Sequence, residues 1–273
     1  MSDLTTVDLA YDITGPTHVD PALSLNSTPH ADTIVLLGSL GATREMWQAQ
    51  VDALANDFAV IAVDLRGHGE SPAPEGEYSV ELLADDVVKL LDTVRVDKAH
   101  VVGLSLGGAV AQMLALKHAD RLESLTLMST AAKFGTKQAW LDKAALVKEH
   151  GTKALAETVV QNWFTEDYFR TSPQVPDAYA QGICDTQDAG YVGCCHALAE
   201  FDSRKVLAQI ELPTLVMAGE QDTSTALSVV QELHHGISGS QMVTISPAKH
   251  LVNVEQPDIV NSMLRTFISS RGE

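Results

Sequence analysis

Residues 101–108 are Val101-Val102-Gly103-Leu104-Ser105-Leu106-Gly107-Gly108, and the rest of the chain is organised around them. The core of the stretch is Gly-x-Ser-x-Gly, which carries meaning only in context. Residues 100–104 form a short apolar run with two Val, as a buried strand would. Residues 109–117 are rich in Ala, Met and Leu, as a helix would be. A Ser between such a strand and such a helix sits on a very tight turn. Gly103 and Gly107 let strand and helix pack where a Cβ would clash. The turn lifts the Ser105 hydroxyl out of the sheet at a helix N-terminus, the setting of a nucleophile. The alternative is a glycine-rich loop with a spectator Ser.

The surrounding chain alternates strands and helices. A half-buried strand is expected in residues 5–14, followed by a polar loop over 15–32 with room for one more short strand. Buried strands are expected at 33–37 and 58–63, with a helix over 43–56 between them. Ser79 can cap a helix whose Leu83, Val87, Leu90, Leu91 and Val94 form one face. A strand follows over 125–128. Residues 131–209 break the alternation and read as consecutive helices with no strand, which suggests a lid over a site. Alternation resumes with strands at 214–218 and 241–245, a helix over 224–234, and a last helix starting near Pro257. The expected architecture is a mostly parallel sheet of about eight strands with helices on both faces. Residues 1–130 and 210–273 make its core, and the helical lid of residues 131–209 is inserted before the last two strands.

Composition narrows the function. The chain has 273 residues, 45% of them hydrophobic, enough for one large domain or a domain with an insertion. Its 18 Lys and Arg against 36 Asp and Glu argue against nucleic-acid or anionic-membrane partners. No secretory signal or membrane-spanning run is expected. The three cysteines, Cys184, Cys194 and Cys195, lack zinc-ligand spacing and read as small core or interface residues. A cytoplasmic enzyme with reduced thiols follows.

A Ser nucleophile needs a base, and the base needs an orienting carboxylate. In parallel sheets chemistry gathers at the carboxyl ends of strands. His250, just past the 241–245 strand, is the best placed of ten histidines. Asp222, just past the 214–218 strand, is the preferred acid, with Glu220 and Asp64 as rivals. Arg66 and His68 read as holding the Asp64 loop in shape. Two backbone N–H groups should meet the oxyanion of an acyl-transfer intermediate. Leu106 follows the nucleophile, and Leu40 lies in Gly38-Ser39-Leu40-Gly41 after the 33–37 strand.

Together these stretches resemble the α/β-hydrolase fold over nearly the whole chain, in the order Ser105, Asp222, His250. More narrowly the chain is similar to 3-oxoadipate enol-lactonases of the β-ketoadipate pathway. The matching stretches are Ser39-Leu40-Gly41 with Met46-Trp47, residues 64–72, residues 103–108, residues 130–136, Trp163-Phe164-Thr165 and residues 253–257. Departures are Gly38 in place of Asn, Lys249 before the His, and no Pro in Thr223-Ser224-Thr225. The resemblance implies hydrolysis of a small-molecule lactone or ester without metal or organic cofactor. It further implies an anionic lactone, for whose carboxylate Arg44 and Lys133 are candidate cations. Trp140 and Trp163 are candidates for the lid side of the pocket. A broad-range carboxylesterase uses the same machinery. A C–C bond hydrolase, a cofactor-free perhydrolase or a receptor that does not turn over remain open. Dehalogenases and epoxide hydrolases place Asp where Ser105 stands and are disfavoured.

Overall fold

The computed structural model describes residues 4–16 and 32–270. Its seven-stranded sheet is built from β1 (Tyr11–Thr14), β2 (Thr33–Leu37), β3 (Ala59–Val63), β4 (Ala99–Leu104), β5 (Leu122–Met128), β6 (Thr214–Gly219) and β7 (Gln241–Ile245). The spatial order is β1-β3-β2-β4-β5-β6-β7. Only β1 is antiparallel; β2 to β7 pair in parallel. The count is one below the eight expected. Most of the loop with room for the extra strand, residues 17–31, lies outside the described residues.

Strands β2 to β5 are buried on both faces, which is why they read as continuous apolar runs rather than alternating ones. Odd and even residues serve different layers. Val35, Leu37 and Val101 pack with helices α2 (Val80–Thr93) and α3 (Leu106–Lys117). Ile34, Leu36, Val102 and Leu104 pack with α1 (Gln48–Leu54) and with the C-terminal helix (Pro257–Ser269). Ser79 caps α2 by accepting from the Leu82 N–H at 3.1 Å. The helix expected over 43–56 is split, because its first turn, Arg44–Trp47, is a 3-10 turn.

Between β5 and β6 the chain forms five helices: α4 (Lys137–His150), α5 (Ala156–Trp163), α6 (Glu166–Thr171), α7 (Gln174–Asp185) and α8 (Asp188–Glu200). Helix α8 lies against the Asp64 loop so closely that a Cβ on Gly67 would stand 2.5 Å from the Gly190 Cα. Helix α9 (Leu227–Gly236) follows β6; α10 (Val252–Glu255) and α11 (Pro257–Ser269) follow β7. Cys194 and Cys195 are buried in α8, whereas Cys184 is exposed, and none forms a disulfide. Among the described residues no helix is long and apolar enough to cross a membrane.

The topology selects a site. From β2 the chain runs to β3 on one side, then crosses back so that β4 lies on the other. That reversal opens a crevice beyond the carboxyl ends of β2 and β4. Gly38 and Ser105 are the first residues past those two ends.

Two buried imidazoles set an acid limit on this fold. Burial holds His68 below its ordinary 6.5, although the Arg66 carbonyl and Asp64 oppose it. Burial does the same to His100, against Asp32 and Glu123. The unfolded chain therefore takes up these protons more readily than the folded one. This contribution is complete above pH 6.5 and is lost as pH falls from there through the folded values. Calorimetry should show Tm dropping between pH 7.5 and 5, and dropping less in His100→Asn. A Tm unchanged over that interval would contradict the assignment.

Candidate active site

Ser105 joins β4 to α3 with φ 56° and ψ −113°, a left-handed conformation that L-residues avoid. Its backbone is clamped on both sides. The Ser105 N–H donates to the Met128 carbonyl at 3.0 Å, and Thr130 Oγ1 donates to the Ser105 carbonyl at 2.7 Å. The flanking glycines make the turn possible. A Cβ on Gly103 would stand 2.2 Å from the Gly107 carbonyl oxygen, and one on Gly107 2.1 Å from that of Leu37. The second close approach seats the 38–41 loop directly beside the elbow. There the Gly107 N–H donates to the Gly38 carbonyl at 3.0 Å.

The two N–H groups expected to face an oxyanion lie on either side of this contact. Among the described residues neither the Leu40 nor the Leu106 N–H has a hydrogen-bond partner. Their neighbours are used: Gly107 as above, and Gly41, whose N–H donates to His68 Nε2 at 2.8 Å. Leu106 opens α3, so its N–H is one of the donors a helix start leaves free.

Asp222 and His250 come from the loops after β6 and β7. Gly219 brings these loops together, since a Cβ there would stand 2.0 Å from the Lys249 carbonyl oxygen. The Gln221 N–H ties them by donating to the Ala248 carbonyl at 2.9 Å. Asp222 Oδ2 lies 2.8 Å from His250 Nδ1, with both side chains buried. Asp222 Oδ2 also accepts from Thr225 Oγ1 at 2.6 Å. Its Oδ1 accepts the N–H groups of Ser224 and Thr225 at 2.8 and 3.1 Å. Burial alone would raise the Asp222 carboxyl. The adjacent His250 and the hydrogen bonds from His250 and Thr225 outweigh it and hold the carboxyl below its ordinary value. The rival acids have other partners. Glu220 accepts from Ser246 Oγ, and Asp64 binds Arg44 and the Glu70 N–H. Neither Ser105 Oγ nor His250 Nε2 has a hydrogen-bond partner among the described residues. In enzymes without substrate such contacts are commonly long and tighten on binding.

The helical segment reaches this place. Trp163, at the end of α5, accepts the N–H groups of both His250 and Leu251 on its carbonyl, each at 3.2 Å. Glu255 joins the same pieces. One carboxylate oxygen takes the Lys249 N–H at 2.6 Å, the other the Thr165 N–H and hydroxyl at 2.8 Å. A Cβ on Gly41 would stand 3.3 Å from both Ile183 and Tyr191 and 3.9 Å from Trp163, so these side chains border the 38–41 loop. Trp140 on α4 donates from Nε1 to the Phe134 carbonyl at 2.7 Å.

Both candidate cations already have carboxylate partners. Arg44 pairs with Asp12 and Glu70 at 2.6 Å and with buried Asp64. Lys133 pairs with Asp202 at 3.2 Å. Lys143 differs, with no carboxylate partner among the described residues. It lies 4.3 Å over the Trp140 ring, and burial holds it below the ordinary lysine value. It is close enough to Cys195 for the two to interact electrostatically. Cys195 stands one α8 turn beyond Tyr191, on the same helix face. Spacing in the sequence does not distinguish Lys143 from its solvated neighbours on α4. The usable signal is its place three residues after Trp140, where one helix face would stack them.

A family model described as the alpha/beta hydrolase fold matches residues 32–257. The chain belongs to the α/β-hydrolase family. It is 37% identical over 244 residues to 3-oxoadipate enol-lactonase 2 of Acinetobacter baylyi, covering 89% of this chain and 91% of that protein. The crystal structure of the enol-lactonase from Burkholderia xenovorans LB400 is 36% identical, with a TM-score of 0.89 and 96% of each chain covered. A thermophilic esterase from Thermogutta terrifontis, solved with malate bound, is 30% identical with a TM-score of 0.88, covering 97% of this chain and 94% of that one. Within this α/β-hydrolase, the strained Ser105 and the Asp222–His250 pair stand on loops beyond the carboxyl edge of one sheet.

Proposed function

We propose that this α/β-hydrolase cleaves an enol-lactone, of the type of 3-oxoadipate enol-lactone, through an acyl-enzyme on Ser105. The chemistry rests on one observation above all. A buried carboxylate orients a buried imidazole at the sheet edge where a strained Ser precedes the unpartnered Leu106 N–H and the adjoining 38–41 loop carries the unpartnered Leu40 N–H. Ser105 Oγ attacks the ring carbonyl while His250 Nε2 takes its proton. Asp222 holds the imidazole with Nδ1–H towards itself and stabilises the imidazolium. The Leu40 and Leu106 N–H groups take the negative charge on the carbonyl oxygen. Ring opening expels an enolate, a good leaving group that becomes a ketone on protonation. Water activated by His250 then releases the acid. Each residue role requires only protein groups. Helices α4 to α8 serve as a lid, tied to the base through the Trp163 carbonyl and Glu255.

The substrate class rests on the enol-lactonase relatives. A lactone with a carboxylate arm needs a local cation in a protein of net charge −18. Of Arg44, Lys133 and Lys143, Lys143 has no carboxylate to leave. From α4 it interacts electrostatically with Cys195, which stands one α8 turn from Tyr191, a side chain bordering the loop that carries Leu40. Lys143→Ala should raise KM for the anionic lactone at least about tenfold and KM for a neutral ester less than about twofold. Lys133→Ala should leave both within about twofold. Equal effects of Lys143→Ala on both substrates would remove it from this role.

Steady-state hydrolysis of 3-oxoadipate enol-lactone beside p-nitrophenyl acetate tests the function. Fast lactone turnover with a poor acetate rate supports an enol-lactonase. Good acetate turnover without lactone activity keeps the catalytic groups and moves the protein to the carboxylesterases, a reading favoured by the likeness to the Thermogutta esterase.

A further inference from the structure

We propose that His68 is a positioning residue for the oxyanion-binding loop: by accepting the Gly41 N–H, its imidazole sets the backbone that aims Leu40. The proposal rests on the assignment of Leu40 and Leu106 as oxyanion donors.

The two ring nitrogens of His68 have distinct partners. Nε2 accepts the Gly41 N–H at 2.8 Å, and Nδ1 lies 3.1 Å from the Arg66 carbonyl. A carbonyl only accepts and an N–H only donates, so the proton sits on Nδ1 and the Nε2 lone pair faces Gly41. The ring is buried, which keeps it neutral and leaves Nε2 free to accept. Without it the Gly41 N–H would be a buried donor with no partner, a condition that costs about 1–3 kcal/mol and that the loop could escape only by rotating its peptides. Gly41 has φ +85° and stands directly after Leu40, so such a rotation would re-aim the Leu40 N–H.

His68 can hold this loop because its own base is fixed. Gly67 packs on Gly190 of α8, and Ser71 Oγ donates to the Asp64 carbonyl at 2.6 Å. Asp64 Oδ1 accepts the Arg44 N–H at 2.6 Å, and Asp64 Oδ2 accepts the Glu70 N–H at 3.1 Å. Two contacts, His68 to Gly41 and Asp64 to Arg44, therefore bracket the oxyanion loop from the same neighbouring loop. Arg66, which supplies the carbonyl that fixes the tautomer, is itself locked by Asp86 at 2.7 and 2.8 Å.

The test compares His68→Gln, whose Oε1 can still accept, with His68→Leu, which cannot, on an ester or lactone the wild type turns over. The Leu variant should lose about 10²-fold in kcat with KM within about threefold, the pattern of a misaimed oxyanion donor. The Gln variant should recover to within about tenfold of wild type. Full kcat in His68→Leu, or Gln no better than Leu, would overturn the proposal. Nitrogen-15 NMR of wild-type His68 decides even where the Leu variant does not fold. A neutral ring protonated on Nδ1 at pH 7 is expected, and one protonated on Nε2 would overturn it. Turnover that survives in Ser105→Ala would instead overturn the reaction, a separate result.

Discussion

Ser105→Ala should lower kcat for the lactone by about 10⁶-fold while leaving the fold unchanged. The size follows from the chemistry, since no other hydroxyl is expected at the elbow to form the acyl-enzyme. The unchanged fold follows from the backbone. Ala carries the same Cβ as Ser and meets the same strain at φ 56°. Ser105→Gly removes that Cβ and should relieve the strain. It should be equally inactive but raise stability by about 1 kcal/mol, within the range such conformations cost. Urea unfolding of the three proteins beside their lactone kinetics checks both halves. A Ser105→Ala protein with more than about 1% of wild-type kcat would contradict the role of Ser105. Equal stability of the Gly and Ala variants would contradict the strain.

Asp222→Asn should lower kcat by about 10⁴-fold. Asp222 Oδ1 already accepts two backbone N–H groups, so the Asn oxygen takes that place and its NH2 turns towards His250 Nδ1. An NH2 only donates. His250 must then accept at Nδ1 and carry its proton on Nε2, where it can no longer take one from Ser105. Asp64→Asn, at the rival acid, keeps an oxygen to accept the Arg44 N–H that braces the oxyanion loop. It loses the ion pair with the Arg44 side chain and the acceptor for the Glu70 N–H, so it should act on stability rather than on kcat. A loss of less than tenfold in Asp222→Asn would remove Asp222 as the orienting acid.

Much of this site was legible in the chain because each of its parts follows a strand that reads clearly. The apolar runs before Gly38, Ser105, Asp222 and His250 are strands ending on one sheet edge, so chain order became proximity. The boundaries were less legible. Residues 43–47 carry helical signals, yet the turn that must swing from β2 into α1 tightens to 3-10. Partners distant in the chain were not legible at all. Arg44 is met by Asp12, Asp64 and Glu70, and Lys133 by Asp202; only folding brings them together. Lys143 was hidden for the converse reason, as a charge on a helix reads as solvated until its neighbours are seen. His68 read as holding its own loop, and the structure extends its reach to Gly41 of the loop before.

The proposed reaction passes through an acyl-enzyme on Ser105. The most direct measurement is the mass of the protein quenched in acid during turnover of a slow p-nitrophenyl ester, followed by peptide mapping. An added acyl group is expected on the peptide carrying Ser105, absent from Ser105→Ala and accumulating further in Asp222→Asn if deacylation is slowed more than acylation. An acyl group on another residue, or active wild-type enzyme that never carries one, would contradict it.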